Sequence, residues 1–583
     1  MITVYTPNNR GELAYEQFVQ RLKTLQGIPI ISLIEVFDTK STDKLKYTFT
    51  ISNCNFNFII SHKELRRLLL ENRVTTTAFR LTKDNRLIRS ESKGTMQAKS
   101  CEELQAEIDQ YYRVLEHKCR LLNKPFVRDY CRVIGRGKVR LIEANAIIDD
   151  TYIIPPFVTE CIQPDKDTMS CFGKVSGRLK VINRSNNLVS MARLFYGCNS
   201  IRELDLTEFS TKGTISTAEM FSYCTGLTTI YGLETFDMSS VIVSSRMFAN
   251  CYILQDLNIN QWDMPETRSA EYMFQNCKGL QTLDLSAWRL PKCETVNNMF
   301  FNCSMLQSLN IENFAMTVTT DCSSMFTGCD KLKALNLNKW SMQSVRTATY
   351  MFRGCHQLKY LIISEWNTKS MLCFRGMFEE CIALKELDLS KWNTSVAVDM
   401  RDMFARCNVL QTLNISTWNV SNVTLFNGMF AVCVSLQHID LGHWRLNSAV
   451  DTTRMFASCR ALKAVDVTAW RPVHLEQASE MFFGCSSLEK LDLSTWRGVP
   501  LKDAMRMFAD CEKIQTLDLR GITTETLIVS RMCINCQKLK DIWLPKSKPI
   551  RYGSNSADSQ HPFEYCIGLS EESKKKAAVW LRD

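Results

Sequence analysis

The chain has 583 residues, of which 45% are hydrophobic and 23% charged, with 25 cysteines and a formal net charge of +10. The hydrophobic share excludes an intrinsically disordered chain, and only 22 Gly with 13 Pro exclude a collagen-like one. Residues 1–165 hold 25 Lys and Arg against 20 Asp and Glu, which is half of the net charge. Because the charge is not concentrated in one part, the sequence gives little support to nucleic-acid binding.

Neither a membrane span nor a secretion signal is predicted. No stretch approaches 18 consecutive hydrophobic residues, and the N-terminus lacks the basic start, apolar segment and cleavage site of a signal peptide. We therefore expect an intracellular protein, or one enclosed in a virus particle. In a reducing compartment the 25 cysteines are expected to stay unpaired, since disulfides form mainly in oxidising environments.

Residues 1–165 lack the repeat that fills the rest of the chain. Amphipathic spacing predicts helices and alternating apolar residues predict strands, in the order helix 11–27, strands 28–37, 46–52 and 55–60, helix 62–73 and helix Ser100–Leu122. These elements predict a small α+β domain. The segment Arg132–Arg140 places several cations around two glycines, which suits either an exposed hairpin or a phosphate-holding turn.

From about residue 191 onward, the motif Met-Phe-x-x-Cys-x-x-Leu recurs along the chain. Fourteen cysteines, from Cys198 to Cys536, occupy the same place in it. The Phe positions are separated once by 27 residues and then ten times by 26 residues, at Phe221, Phe248, Phe274, Phe300, Phe326, Phe352, Phe378, Phe404, Phe430, Phe456, Phe482 and Phe508. Each copy continues as L-x-x-L-x-L-S-x-W, for example at Leu384–Trp392 and Leu488–Trp496.

These spacings predict an α/β repeat solenoid. The alternation in L-x-L suits a short strand, and the steps of three in the Met-Phe segment suit a short helical or 3₁₀ turn on the same core. A single coil of 26 residues leaves its apolar side uncovered, so neighbouring coils must stack and pair their strands into a parallel sheet. The predicted core includes Phe274, Cys277, Phe300, Cys303, Phe378, Cys381, Trp392, Phe404, Cys407, Trp418, Phe430 and Cys433.

The motifs L-x-x-L-x-L-S-x-W-N-T-S, at Leu384–Ser395, and M-F-x-x-C resemble the leucine-rich repeats of the BspA type. The resemblance is closest to their 26-residue variant, found in mycoplasma-type surface lipoproteins and in some protists and giant viruses, and it covers about 60% of the chain. It implies an LRR-like right-handed superhelix of about 14 coils. It also implies a role in binding or surface display, with no catalytic residues to carry over.

The sequence predicts four segments. The α+β domain spans residues 1–165 and ends near the Pro-rich stretch Tyr152–Phe157, and a cap of the solenoid spans 166–190. The repeats occupy 191–546, and a C-terminal cap and tail occupy 547–583. In the tail, residues 546–562 are predicted to be a loop, followed by a helix that begins after Ser570 as its N-cap and presents Lys574–Lys576 to solvent.

One outward position of the predicted strands holds a short polar residue in most coils. The candidate partner-binding strand face consists of Asp284, Asp388, Asn414, Asp440, Asp466, Asp492 and Asp518. Such a surface suits docking of a basic partner or weak cation capture between carboxylates. The alternative is a structural ladder of hydrogen bonds made by these side chains.

No catalytic, metal-binding or cofactor-binding constellation is predicted. The seven His residues follow no repeat spacing and do not supply zinc ligands to the cysteine ladder, so the ladder is interpreted as buried thiols. Cys533 and Cys536 have the spacing of a redox pair. That spacing arises because Cys533 stands where the repeat has Phe, so a structural role is preferred.

The sequence thus favours a non-enzymatic scaffold that binds a protein partner through the solenoid surface. One alternative is a structural component of a large assembly, such as a giant-virus particle or a cell-surface layer. The other is an enzyme whose activity lies in residues 1–165.

Overall fold

The computed structural model describes residues 98–162, 170–184, 187–550 and 561–582, together with the strands of the first 97 residues. The chain divides into two compact units, Met1–Ala98 and Lys99–Asp583. Residues 99–165, which the sequence grouped with the N-terminal domain, fall in the same compact unit as the repeats. The four-segment division stays a prediction.

The described residues of the first unit form two antiparallel sheets. Their strands are β1 Thr3–Val4, β2 Ser32–Asp38, β3 Lys44–Ile51, β4 Cys54–Ser61, β5 Phe79–Leu81 and β6 Leu87–Arg89. Strands β1 to β4 pair in the order β1-β4-β3-β2, and β5 pairs with β6. The predicted strands 28–37, 46–52 and 55–60 overlap β2, β3 and β4, whereas the predicted helices 11–27 and 62–73 lie outside the described residues.

The second unit begins with helix α1, Cys101–Leu121, and Ser100 is its N-cap within a capping box with Glu103. A hairpin follows, formed by β7 Tyr130–Gly135 and β8 Lys138–Glu143, where the sequence left a hairpin or a phosphate-holding turn open. Short strand β10, Glu160–Cys161, extends this sheet in parallel with β8. The buried side of α1 belongs to the same continuous hydrophobic core as the repeats, so this region covers the N-terminal end of the stack.

The repeats form a parallel β-solenoid of about 15 turns with a repeat of about 26 residues, which confirms the predicted repeat solenoid. All pairings between its coils are parallel, and a row of single bridges connects one residue per coil from Ser190 to Ile528. The strands are β9 Thr151–Ile153, β11 Gly177–Ile182, β12 Ile201–Asp205, β13 Thr229–Tyr231, β14 Thr282–Asp284, β15 Ser308–Asn310, β16 Ala334–Asn336, β17 Tyr360–Ile362, β18 Glu386–Asp388, β19 Thr412–Asn414, β20 Thr516–Asp518, β21 Thr526–Ile528, β22 Asp541–Trp543 and β23 Lys548–Ile550. A 3₁₀ helix spans Leu233–Thr235.

The Met-Phe segment forms a turn in which two residues per coil have left-handed backbone. In the coil of Phe404 these are Asp402, with φ 55°, and Arg406, with φ 61°. The N–H of Phe404 donates to the next coil, to the carbonyl of Met429 at 2.8 Å, whereas the N–H of Cys407 donates within the turn to Phe404 at 3.1 Å. The 3₁₀-type bonds expected from the sequence therefore alternate with bonds between coils, and no continuous helix forms.

Phe and Cys stack beside this turn along the whole repeat. From Phe248 to Phe508, successive ring centroids lie 5.3–5.8 Å apart. From Cys277 to Cys511, each thiol donates to the carbonyl oxygen of the Phe in the preceding coil, with S···O distances of 3.0–3.2 Å. The cysteine is thus a hydrogen-bond donor between coils as well as a small buried side chain.

The C-terminal end is covered by helix α2, Glu571–Trp580, with Ser570 as its N-cap. Phe563, Leu569 and Ala577 of this region are buried in the common core. Lys574 and Lys576 make ion pairs with Glu571 and Glu572 on the exposed side of the helix. Of the segment 546–562, which the sequence predicts as a loop, residues 548–550 form β23, and residues 551–560 lie outside the described part.

Candidate functional site

The polar residues of the predicted strand face occupy equivalent positions, one per coil. Four of them end strands, namely Asp284, Asp388, Asn414 and Asp518, whereas Asp440, Asp466 and Asp492 lie in coils that form no strand at this position, contrary to the prediction. Their shared role is local, because a side-chain oxygen accepts a hydrogen bond from the residue two positions later, which is an Asx turn. The carboxylate of Asp388 accepts from the N–H of Ser390 at 3.0 Å, for example. The same bond to a backbone N–H is made by Asp284, Asp440, Asp466, Asp492 and Asp518, while Asn414 accepts from the hydroxyl of Ser416 at 3.3 Å.

Hydrogen bonding holds several of these carboxyls in the ionised form. The N–H of Ser390 lowers the pKa of Asp388, and the hydroxyl of Thr468 lowers the pKa of Asp466. Asp518 differs from the others because Arg520 binds it in a bidentate pair, at 2.9 and 2.6 Å, which lowers its pKa. The charge of Asp518 is therefore paired with Arg520 in its own coil, whereas Asp388 and Asp466 have exposed carboxylates.

The same turn occurs at two other corners, where the chain changes direction, in the coil that contains Trp392. Coils such as this one, which have the strand and the indole bond, are called regular. Asn393, which follows Trp392, accepts from the N–H of Ser395 at 3.0 Å, and Asp399 of the bridge row accepts from the N–H of Arg401 at 3.0 Å. Short side chains with an acceptor oxygen recur at the corners because they terminate each straight segment and turn the chain.

The indole N–H groups form a ladder that weakens toward the C-terminus. From Trp262 to Trp444, each indole N–H donates to a carbonyl oxygen of the preceding coil. The distance is 2.7 Å for Trp262, 3.1 Å for Trp392 and Trp418, and 3.4 Å for Trp444. The indole nitrogens of Trp470 and Trp496 are buried and have no hydrogen-bond partner.

The strand pairing is interrupted in the same coils. Strand β19 ends at Asn414 and β20 begins at Thr516, and the fully described range 415–515 between them contains no strand. On the strand side of these coils, the bridge Ala464–Lys490 remains. The coil of Trp262 also has no strand, but its indole bond is 2.7 Å long. The coils of Trp470 and Trp496 lack both the strand and the indole bond, so the Trp and strand side is less tightly bonded there.

A surface groove of about 710 Å³ lies at the beginning of this interrupted region. It runs between two successive coils and is lined mainly by exposed polar groups: Asn419, Ser421, Asp440, His443, Arg445 and Asn447. It thus offers a carboxylate, an imidazole, a guanidinium and amides within one depression. Trp418 and Val420 supply the apolar part of the lining, so the groove suits recognition of a mostly polar surface.

Gly442 lies between two residues of the predicted strand face, of which Asp440 lines the groove and Asp466 belongs to the next coil. A Cβ atom added there would lie 3.0 Å from a carboxylate oxygen of Asp466 and 3.6 Å from one of Asp440, so both carboxylates border the same glycine. The nearby His443 contributes to the lowered pKa of Asp466. The structure therefore brings together Asp440 and Asp466, while Asp284 and Asp388 lie on more distant coils.

Arginine replaces the corner asparagine in the interrupted coils. Arg445, Arg471 and Arg497 follow Trp444, Trp470 and Trp496, at the position that Asn367, Asn393 and Asn419 occupy in the three preceding coils, and all three arginines are exposed. The guanidinium of Arg471 donates to the carbonyls of Thr468 and Trp470 at 2.9 and 2.8 Å. This row was not predicted from the sequence, although the change from Trp-Asn to Trp-Arg is visible in three successive copies.

The cysteines show no feature of a redox or metal centre in the described part of the chain. No group of three His, Cys, Asp or Glu side chains there is placed to hold a metal ion. Burial raises the pKa of Cys533, which is the opposite of the lowering that activates a redox cysteine. The thiol of Cys536 donates to the carbonyl of Phe508 at 3.1 Å, as the other ladder thiols do.

The repeats match a family model described as Mycoplasma protein of unknown function, DUF285, at residues 189–314, 320–439 and 433–542. The matched segments cover more than half of the chain. The chain belongs to the DUF285 family. No curated protein matches it. The groove lies inside the DUF285 region, because Asn419 and Asp440 fall in the second and third matched segments. Among the described residues, no helix is long and apolar enough to cross a membrane.

Proposed function

We propose that this DUF285 chain is a non-enzymatic scaffold that binds a protein partner on the strand face, at the groove between the coils of Trp418 and Trp444. The observation that supports it most is the coincidence, in the same coils, of the groove, the interrupted strand pairing and the change from Asn to Arg at the corner. A surface that repeats evenly offers no unique place to bind. Single features recur elsewhere, with Arg289 after Trp288 and no strand in the coil of Trp262, but within the described part of the chain they coincide with the groove in these coils alone.

The charges suggest the chemistry of the partner. Asp440, Asp466 and Asp492 form one exposed row, and Arg445, Arg471 and Arg497 form a parallel exposed row five residues later in each coil. Two adjacent rows of opposite sign favour a partner segment that carries both signs. Complementary charges of this kind set specificity and association rate more than affinity.

The resemblance to BspA-type repeats supports the same proposal, since it implies binding through an LRR-like scaffold. We also infer a reducing compartment for the protein. The 24 cysteines whose side chains the structure describes are all free, and most of them are buried.

The experiment compares partners recovered by affinity purification and quantitative mass spectrometry from wild type and three variants. The first variant combines Asp440→Asn, Asp466→Asn and Asp492→Asn, because Asn keeps the Asx-turn acceptor and removes only the charge. The second combines Arg445→Gln, Arg471→Gln and Arg497→Gln. The control combines Asp284→Asn and Asp388→Asn, the same change in regular coils.

Each of the first two variants changes one residue of the groove, Asp440 or Arg445, and the next two residues of the same charged row. We expect both row variants to lose a specific partner by at least about tenfold, and the control to retain it. Retention of every partner by both row variants would contradict the proposal. Equal loss in the control would show that the acidic ladder acts as a whole and that the groove has no special role.

A structural component of a larger assembly is the second candidate. It is favoured by exposed apolar side chains at equivalent positions of three coils, Leu372, Val398 and Val450, with Thr424 between the last two. Both ends of the stack are covered, so association would be lateral. Sedimentation of the wild type and of Leu372→Ser with Val398→Ser tests it: a larger species that disappears in the variant supports assembly, and a monomer in both contradicts it.

A further inference from the structure

A second cleft lies on the Met-Phe turn side, near the C-terminal end of the stack. Its volume is about 400 Å³, and the residues that matter for its chemistry are Phe483, Arg506, Asp510, Arg531, Asn535 and Tyr565. It shares no residue with the groove on the strand face, so it is independent of the function proposed above.

Arg506 and Arg531 occupy equivalent places in successive coils. Each stands two residues before the Phe position of its turn and has left-handed backbone, with φ 53°. The two coils before them place Arg454 and Glu480 there, and Glu480 is shared, at 3.3 Å from Arg454 and 3.5 Å from Arg506. One carboxylate therefore serves two guanidinium groups.

Arg531 has no such partner. Its guanidinium makes no ion pair in the described part of the chain, and its Nε is buried without a hydrogen bond. Buried charged donors are normally hydrogen-bonded in native proteins, so an unpaired one on the wall of a cleft indicates a missing acceptor. Asp510, the acidic residue of the cleft, instead accepts from the amide of Asn535 at 3.0 Å.

Aromatic rings border the two arginines. The guanidinium carbon of Arg506 lies 5.9 Å from the ring centroid of Phe483. Tyr565 is 65% exposed, although its backbone is held in the left-handed region at φ 60°. Tyr565 thus offers an exposed ring at the wall of the cleft.

The geometry points to a binding site for a phosphate monoester of an aromatic group. The unpaired guanidinium fork of Arg531, with the charge of Arg506 in the same cleft, matches the oxygens of a dianionic phosphoryl group. The carboxylate of Asp510 is held by the amide of Asn535. The ring of the ligand would lie between Phe483 and Tyr565.

The test titrates the full chain with phenyl phosphate, inorganic phosphate and phenol by isothermal titration calorimetry. We expect phenyl phosphate to bind at least about tenfold more tightly than either of the others, and Arg531→Gln to weaken it by at least about tenfold. Arg375→Gln is the matched control, because Arg375 also has a buried Nε without a hydrogen bond but lies outside the cleft.

A measurement on the wild type guards against misfolding of the variant: phenyl phosphate should protect Arg531 from modification by phenylglyoxal. Equal binding to wild type and Arg531→Gln would overturn the site. So would equal affinity for phenol, which would indicate an apolar slot, or absence of binding at millimolar ligand. Equal affinity for inorganic phosphate would overturn the role assigned to the rings.

Discussion

The two sides of the same coils are held together differently. On the Phe and Cys side, each turn directs main-chain N–H groups and one thiol at its neighbour, and the S···O distances stay at 3.1 Å from Cys433 to Cys511. On the Trp side, the indole bond lengthens to 3.4 Å at Trp444 and is absent at Trp470.

The difference has a physical cause. Main-chain groups must be paired when they are buried, and the Met-Phe turn pairs them between coils whatever the side chains are. The Trp side depends on strands of three residues and on one indole N–H per coil, so a few substitutions are enough to loosen it. The Trp side can therefore differ from coil to coil, and the groove lies on that side. This is why we place partner binding there.

The largest expected effect is the protection of the ladder thiols on the Phe and Cys side, which is the tight side of the stack. Burial raises the pKa of Cys303, Cys381, Cys433 and Cys485 to about 12, so at pH 8 their thiolate fraction is about a thousandfold below that of an ordinary cysteine. Labelling with a disulfide reagent, read by mass spectrometry, should modify exposed Cys101 and spare these four until the chain unfolds.

The pH dependence sharpens this test. Because the reactive thiolate forms only at high pH, any residual labelling of the folded ladder should rise about tenfold per pH unit. Labelling of Cys303 as fast as Cys101 would show that the tight side opens in solution.

Removal of a ring from the tight side should be costly. Phe404 is completely buried and stacks on Phe378 and Phe430. We expect Phe404→Ala to lower the free energy of unfolding by about 3–5 kcal/mol, measured by urea denaturation. Val398→Ala, in the same coil but 42% exposed, is the control and should change it by less than about 0.5 kcal/mol. Similar losses in both variants would mean that the Phe stack is no special source of stability.

The solenoid could be predicted because its spacing specifies which side chains share a core. The helix Cys101–Leu121 could be predicted equally well, since Ser100 and Glu103 form a capping box at its start. The left-handed turn positions were missed, although Asn276, Gly328 and Gly354 are residue types that favour this backbone.

The candidate site was only partly predictable. The acidic positions were recognised, but an Asx turn and a docking surface select the same residue types, so the sequence could not separate them. The loosened Trp side depends on changes of a few tenths of an ångström in the indole bonds. Such changes follow from the packing of several neighbouring coils and leave no motif of their own.

Relief of backbone strain should give a smaller effect on the tight side. Val432 has φ 64°, where a β-branched residue is strained, and equivalent positions hold Asn or Gly in most coils. We expect Val432→Asn to raise the free energy of unfolding by about 1 kcal/mol. The reverse change, Gly354→Val at φ 69°, should lower it by about 1–2 kcal/mol. No gain in the first variant, measured by urea denaturation, would show that Val432 packing outweighs the strain.

The smallest expected effect tests the comparison most directly. Trp392→Phe removes the indole bond to the carbonyl of Ile363, whereas Trp470→Phe removes a buried N–H that has no partner. Both changes delete the same volume from completely or nearly completely buried sites, so packing losses largely cancel. Trp392→Phe should therefore cost about 0.5–1.5 kcal/mol more than Trp470→Phe, and Trp444→Phe, with its bond of 3.4 Å, should fall between them. Equal costs for all three would mean that the Trp side is as firmly bonded at Trp470 as at Trp392, and would remove the structural reason for placing the binding groove there.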